Sequence, residues 1–136
     1  VETFADPVRV FTNNGMDLAS NANDFLDLGV GKINGLDADK GKFKIPTLRN
    51  LAFTAPYMHD GRFATLEDVI ESYNLGPKNS PTVDNIMIVK ANYRLENYGH
   101  YGLALSAQEK ADLKYFLLSM SDTSFVNNPD FKKPIE

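Results

Sequence analysis

Met58, His59 and Tyr73 sit within one stretch, TAPYMHDGRFATLEDVIESYN, residues 54–74. A thioether, an imidazole and a phenol can each ligate a metal or touch a cofactor. Pro56 disfavours helix at Ala55, and Asp60-Gly61 reads as a turn. A helix follows directly. Thr65 stands at the N-cap, with Glu67 and Asp68 in the first turn, where the helix dipole favours acid. Leu66, Val69, Ile70 and Tyr73 fall at i, i+3, i+4 and i+7, which makes one apolar face. Gly76 and Pro77 supply the stop. The three ligand-type side chains therefore cluster around a rigid turn and the helix it launches.

The rest of the chain must position them. With 136 residues, length alone predicts one domain, residues 1–136, with enough chain to bury a core. Residues 1–44 read as a loop-rich lead, with Asn14-Gly15 a turn and glycines through GVGKINGLDADKGKFK. A long irregular lead of this kind commonly wraps something. Thr47 can cap a short helix carrying Leu48 and Leu51 inward. Residues 77–104 read as mostly loop around the apolar piece NIMIVK. A final helix starts at Ser106, where SAQE is a capping box with Glu109, and Leu113, Phe116, Leu117 and Met120 form its expected buried stripe. Residues 123–136 form a polar C-terminal tail. Strand signals are weak, so the fold class is mainly α.

Composition excludes several functions. There is no cysteine, so disulfides, thiolate nucleophiles and Cys-based zinc or iron–sulfur sites are ruled out within this sequence. The two histidines, His59 and His100, make a multi-His metal site unfavourable. A net charge of −4 and a pI near 5.1 leave no basic footprint for nucleic acid. No apolar run reaches the roughly 18 residues of a membrane span. DADKG, residues 37–41, fails the EF-hand pattern and reads as a solvated Asx turn. His100 reads as a surface loop residue.

The block FKIPTLRNLAFTAPYMHDGRFATLEDVIESYN, followed by LSAQEKADLKYFLLSMSD, resembles the C-terminal haem domain of bacterial dihaem cytochrome c peroxidases, and is most similar to the MauG-like branch. The resemblance runs from about Phe11 to Asp122. It implies a cytochrome-c-like fold with long irregular loops, whose lead, 1–44, wraps a haem. It implies a periplasmic or exported oxidoreductase with covalently held haem c, attached through C-x-x-C-H segments. No such segment occurs in this sequence, and the family places it just before a loop like FTNNGMDL. The expectation is therefore a chain incomplete at its N-terminus, inactive by itself, and part of a peroxidase-type enzyme.

The resemblance also assigns residues. Tyr73, seventeen residues after Pro56, matches the distal axial ligand position, where a hard anionic phenolate would favour ferric iron over a Met ligand. His59 falls at the haem edge, as a propionate contact or a step in a proton or electron path. It is the one candidate for a catalytic role. Arg49 suits a propionate grip, and Met58 packing against the haem. The backbone carbonyls of Thr54 and Pro56 match an interdomain calcium site. The implied partners are an N-terminal haem domain of the same protein, a small electron-donor protein, and hydrogen peroxide or a related substrate. The competing reading is a haem-free cytochrome-c-like interaction module, whose core would be refilled by its own bulky side chains. A plain calcium-binding domain is a weaker third, supported only by DADKG.

Overall fold

The computed structural model describes residues 10–131. The architecture is mainly α, as expected. Five helices occur among the described residues: α1 (Gly31–Asn34), α2 (Leu66–Leu75), α3 (Asn85–Tyr98), α4 (Ala107–Ser119) and α5 (Thr123–Asn127). Two short strands, β1 (Phe11–Thr12) and β2 (Phe43–Lys44), pair antiparallel, with Phe11 opposite Lys44 and Thr12 opposite Phe43. Turns of 3-10 helix cover Asp37–Asp39, Leu51–Phe53 and Pro129–Phe131.

The described chain divides into two compact units. One comprises residues 10–46 with Ile70–Leu105, the other Thr47–Val69 with residues 106–131. Helix α2 contributes residues to both.

The two most local readings hold. At α2, the Asp68 backbone N–H donates to Thr65 Oγ1 at 3.2 Å, and Asp68 Oδ2 accepts from the Thr65 backbone N–H and hydroxyl. The cap is reciprocal, so two orphan donors of the first turn are satisfied. At α4, Ser106 and Glu109 close the expected capping box. Replacing Ser106 with alanine is expected to cost about 1 kcal/mol, read as a lower urea midpoint with an unchanged slope.

Three expectations are corrected. Residues 77–104 are not mostly loop, because α3 occupies fourteen of them. Its cap is Asp84, whose Oδ1 accepts from the Ile86 backbone N–H at 3.1 Å, and it ends on left-handed Gly99. Only Ala91 of this helix is buried, while Ile86, Val89, Tyr93, Leu95 and Tyr98 are exposed. With no single buried face, the helical period is masked. The α4 stripe is not buried either. Leu113, Leu117 and Met120 are half-buried, and Phe116 is 59% exposed.

The segment after Thr47 is a 3-10 turn at Leu51–Phe53, not a helix carrying Leu48 inward, and Leu48 is exposed. Thr47 still caps locally, its hydroxyl accepting the Arg49 backbone N–H at 3.2 Å. The C-terminal tail opens on α5. Asp122 caps that helix, and Phe125 packs on Phe131 with ring centroids 5.1 Å apart. Residues 132–136 of the tail and 1–9 of the lead lie outside the described residues. DADKG forms a 3-10 turn. Its acids are paired with lysines, Asp37 with Lys40 at 2.7 Å and Asp39 with Lys42 at 3.1 Å.

Among the described residues the buried apolar set is small: Met16, Ala19, Phe25, Leu66, Ile70 and Ala91. Among the described residues no large side chain is fully enclosed. Leu26 is 100% exposed and Ile33 86% exposed, so much apolar surface meets solvent. This is the reverse of a refilled core.

Candidate functional site

In the first unit, Tyr73 lies near the C-terminal end of α2. That end is firmly closed. Gly76 adopts a left-handed φ of +94° and its N–H donates to the Tyr73 carbonyl at 3.2 Å. The Asn74 carbonyl accepts from Leu103 N–H at 2.9 Å, and Asn74 Oδ1 accepts from Leu105 N–H at 2.8 Å. The free carbonyls of a helix terminus are thereby occupied by the chain that follows α3. Within α2, Ile70 is buried and Tyr73, three residues on, is 38% exposed. Its phenol oxygen accepts a hydrogen bond from Asn14 Nδ2 at 3.0 Å. Asn14 was read from sequence only as half of an Asn-Gly turn, and nothing local announces a partner so distant along the chain.

His100 belongs to the same unit and is more tied down than a surface loop residue. It is half-buried, its Nδ1 lies 2.9 Å from the Gly102 carbonyl, and its ring stacks on Tyr98 with centroids 6.0 Å apart. A carbonyl partner requires the proton on Nδ1, which leaves Nε2 as the acceptor in the neutral ring.

The second unit holds Arg49, Thr54, Pro56, Met58 and His59. Left-handed Asn50 precedes the Leu51–Phe53 turn, and its backbone N–H donates to the Met120 carbonyl at 3.2 Å. Asn50 Oδ1 also accepts from Asp122 N–H at 2.6 Å, so the segment after Arg49 is stapled to the end of α4. Tyr57 and Phe63 exchange backbone hydrogen bonds at 2.7 and 3.4 Å across an antiparallel bridge. The Tyr57 hydroxyl donates to the Leu51 carbonyl at 2.8 Å. Met58, His59, Asp60 and Gly61 form the tip of this small hairpin, closed by Gly61 N–H donating to the Met58 carbonyl at 3.3 Å.

At the tip Met58 is half-buried and His59 exposed. The Arg62 guanidinium grips Asp60 Oδ2 through Nε at 2.7 Å and Nη2 at 2.6 Å. That hydrogen bonding holds the Asp60 carboxyl below its usual range, with a smaller contribution from the charge of neighbouring His59. Arg49, Thr54 and Pro56 are all exposed, and the Ala55–Pro56 peptide is cis. Among the described residues, no group of three or more His, Asp or Glu side chains is arranged to hold a metal ion. A cation at Thr54 and Pro56 would therefore meet backbone carbonyls. The expected site residues thus lie five on the second unit and one, Tyr73, on the first.

No protein-family model matches the chain. Individual relatives do. The cytochrome-c peroxidase IdrP2 of Pseudomonas sp. (strain SCT) is 33% identical over 123 residues, which is 90% of this chain and 28% of that protein. The methylamine utilization protein MauG of Paracoccus denitrificans (strain Pd 1222) is 45% identical over 53 residues, 38% of this chain and 14% of that protein. Among solved structures, a MauG-like protein associated with microbial copper homeostasis superposes with a TM-score of 0.71 at 36% identity, over 91% of this chain and 36% of that one.

This chain resembles the MauG-like cytochrome c peroxidases.

The MauG-like likeness extends to the fold, since the superposition takes in nine-tenths of the chain. The chain spans about a quarter of the length of the curated peroxidases it matches. No helix among the described residues is long and apolar enough to cross a membrane.

Proposed function

We propose that this chain is a haem-binding part of an exported, periplasmic, peroxidase-type dihaem oxidoreductase, with Tyr73 as an axial ligand to one haem c. One observation carries the reading. In a chain similar to cytochrome c peroxidases, Tyr73 presents a partly exposed phenol whose oxygen already accepts a hydrogen bond from Asn14. The donor set fits the group. A phenolic oxygen suits ferric iron, a guanidinium suits a propionate, and the exposed apolar side chains suit the faces of a macrocycle. A small buried core argues against the haem-free interaction module, which needs its own side chains to fill that volume.

When bound, haem c supplies one-electron transfer and the reduction of peroxide. The protein does the rest. Tyr73 would hold the iron through its phenol oxygen, a hard donor that favours the ferric state. Arg49 neutralises a propionate and fixes its orientation. His59, at the hairpin tip, exchanges a proton or contacts a propionate at the haem edge, and Met58 packs against the ring. Thr54 and Pro56 offer carbonyl oxygens to a calcium ion shared with an N-terminal haem domain. Residues 10–44 of the lead would wrap the haem. Electrons arrive from a small donor protein, and hydrogen peroxide or a related oxidant is the substrate.

The reading frame preceding Val1 in the parent gene tests this directly. A C-x-x-C-H segment there, with haem retained on the denatured protein, is the expected result. Its absence would sink the haem c reading.

A further inference from the structure

We propose that Asn14 is the positioning residue for Tyr73, its side-chain amide holding the phenol oxygen in place to bind haem iron. The inference rests on the reading of Tyr73 as an axial ligand. It adds the group that prepares that ligand.

The contact itself is long in sequence and direct in space. Asn14 Nδ2 donates to Tyr73 Oη at 3.0 Å, across 59 residues of chain. The backbone that presents the amide is clamped on both sides. Adjacent Asn13 is buried, and its Nδ2 donates to Ser80 Oγ at 3.1 Å and to Thr82 Oγ1 at 3.0 Å. Its Oδ1 accepts from Gly15 N–H at 2.9 Å, and its carbonyl accepts from Asp84 N–H at 2.8 Å. Thr12 Oγ1 donates to Asp84 Oδ2 at 3.0 Å, and the Gly15 carbonyl accepts from Lys78 N–H at 2.7 Å. Met16 is buried, and Ser72, the residue before Tyr73, donates its hydroxyl to the Met16 sulfur at 3.7 Å. Residues 12–16 are thus tied both to the segment ahead of α3 and to α2 itself. Asn14 is held relative to Tyr73 by a network that does not involve Tyr73.

The chemistry follows from lone pairs. A phenol oxygen offers two acceptor positions. The amide N–H fills one, which leaves the other to face a metal once the proton has gone. An amide nitrogen already donating does not compete for iron. A half-exposed tyrosine would otherwise lose rotamer freedom on ligation, and ordering it beforehand removes that cost.

The test is competition by imidazole for the iron of the ferric, haem-loaded full-length protein, followed at the Soret band. Asn14→Leu removes the donor without adding charge. Asn14→Asp keeps the shape, removes the donor and sets a carboxylate against the phenol oxygen. Both are expected to bind imidazole about tenfold more tightly, the factor a lost hydrogen bond to a charged acceptor represents, with the larger gain in Asn14→Asp. Both should keep the wild-type urea midpoint, because the donated bond is solvent-facing. A purely structural role would move that midpoint and leave imidazole affinity alone. Affinities within about twofold of wild type in both variants, or a gain confined to Asn14→Asp, would overturn the proposal. Tyr73→Phe is the control. If it binds imidazole no more tightly than wild type, Tyr73 is not a ligand and the functional reading is what fails. If it gains affinity and the Asn14 variants do not, only the positioning role fails.

Discussion

On the proposed ligation, Tyr73→Phe in the haem-loaded full-length protein is expected to change the ferric spectrum and to raise the reduction potential of the haem that Tyr73 would bind. Phenylalanine keeps the ring and removes only the oxygen. The phenol is partly exposed and its hydrogen bond with Asn14 is solvent-facing, so the helix should tolerate the change. A hard anionic ligand stabilises ferric iron, and its loss favours the ferrous state. The rise should be on the order of 0.1 V, a modest share of the ~0.8 V over which axial ligands move haem potentials. Spectroelectrochemical titration reads both quantities together. A spectrum and a potential identical to wild type would remove Tyr73 from the iron.

The largest expected effect on stability lies at Gly102. A Cβ there would fall on the Asn74 carbonyl, at the end of α2. That carbonyl accepts from Leu103 N–H, and the Asn74 side chain accepts from Leu105 N–H. The clash is with backbone, which cannot rotate away. Gly102→Ala must therefore push the 102–105 segment off the helix end and expose both acceptors. A cost of about 3 kcal/mol is expected, at the upper end for overpacking. Gly99→Ala provides the contrast. Gly99 is left-handed at φ +74° with open space around its Cβ, so the cost there is conformational strain alone, about 1 kcal/mol. Urea midpoints of the two variants should differ accordingly. Equal midpoints would show that the 102–105 segment does not hold the helix end.

The contrast between α2 and α3 explains what could be read from the chain. For α2 the signals are local: Thr65 caps, acids fill the first turn, and of the four positions the spacing selects Leu66 and Ile70 are buried, Val69 is half-buried and Tyr73 is exposed. For α3 the caps were present, Asp84 before and Gly99 after, but the apolar residues between them surround the helix instead of lining one face. A method that looks for a stripe finds none. At α4 the stripe has the right spacing, but its residues are not buried and Phe116 stays in solvent. At the candidate site, Tyr73, His59 and Arg49 can be proposed from sequence because their motif is contiguous. The Asn14 contact with Tyr73 cannot, because it exists only once residues 12–16 are bonded to 78–84. No property of the dipeptide Asn14-Gly15 distinguishes an amide that points at a phenol from one that merely turns a loop.

The small buried core has a thermodynamic consequence. Among the described residues six apolar ones are buried while Leu26 and Ile33 lie in water, so that core contributes little stability. Whatever covers those side chains adds its binding free energy to the folded state, by about 2.7 kcal/mol for a ligand at about a hundred times its dissociation constant. Folding and loading then form one linked equilibrium, and the melting temperature becomes a gauge of occupancy. Maturation would be self-policing on this account. Copies that fail to acquire their cofactor would remain the easiest to unfold, and so the first to reach a protease.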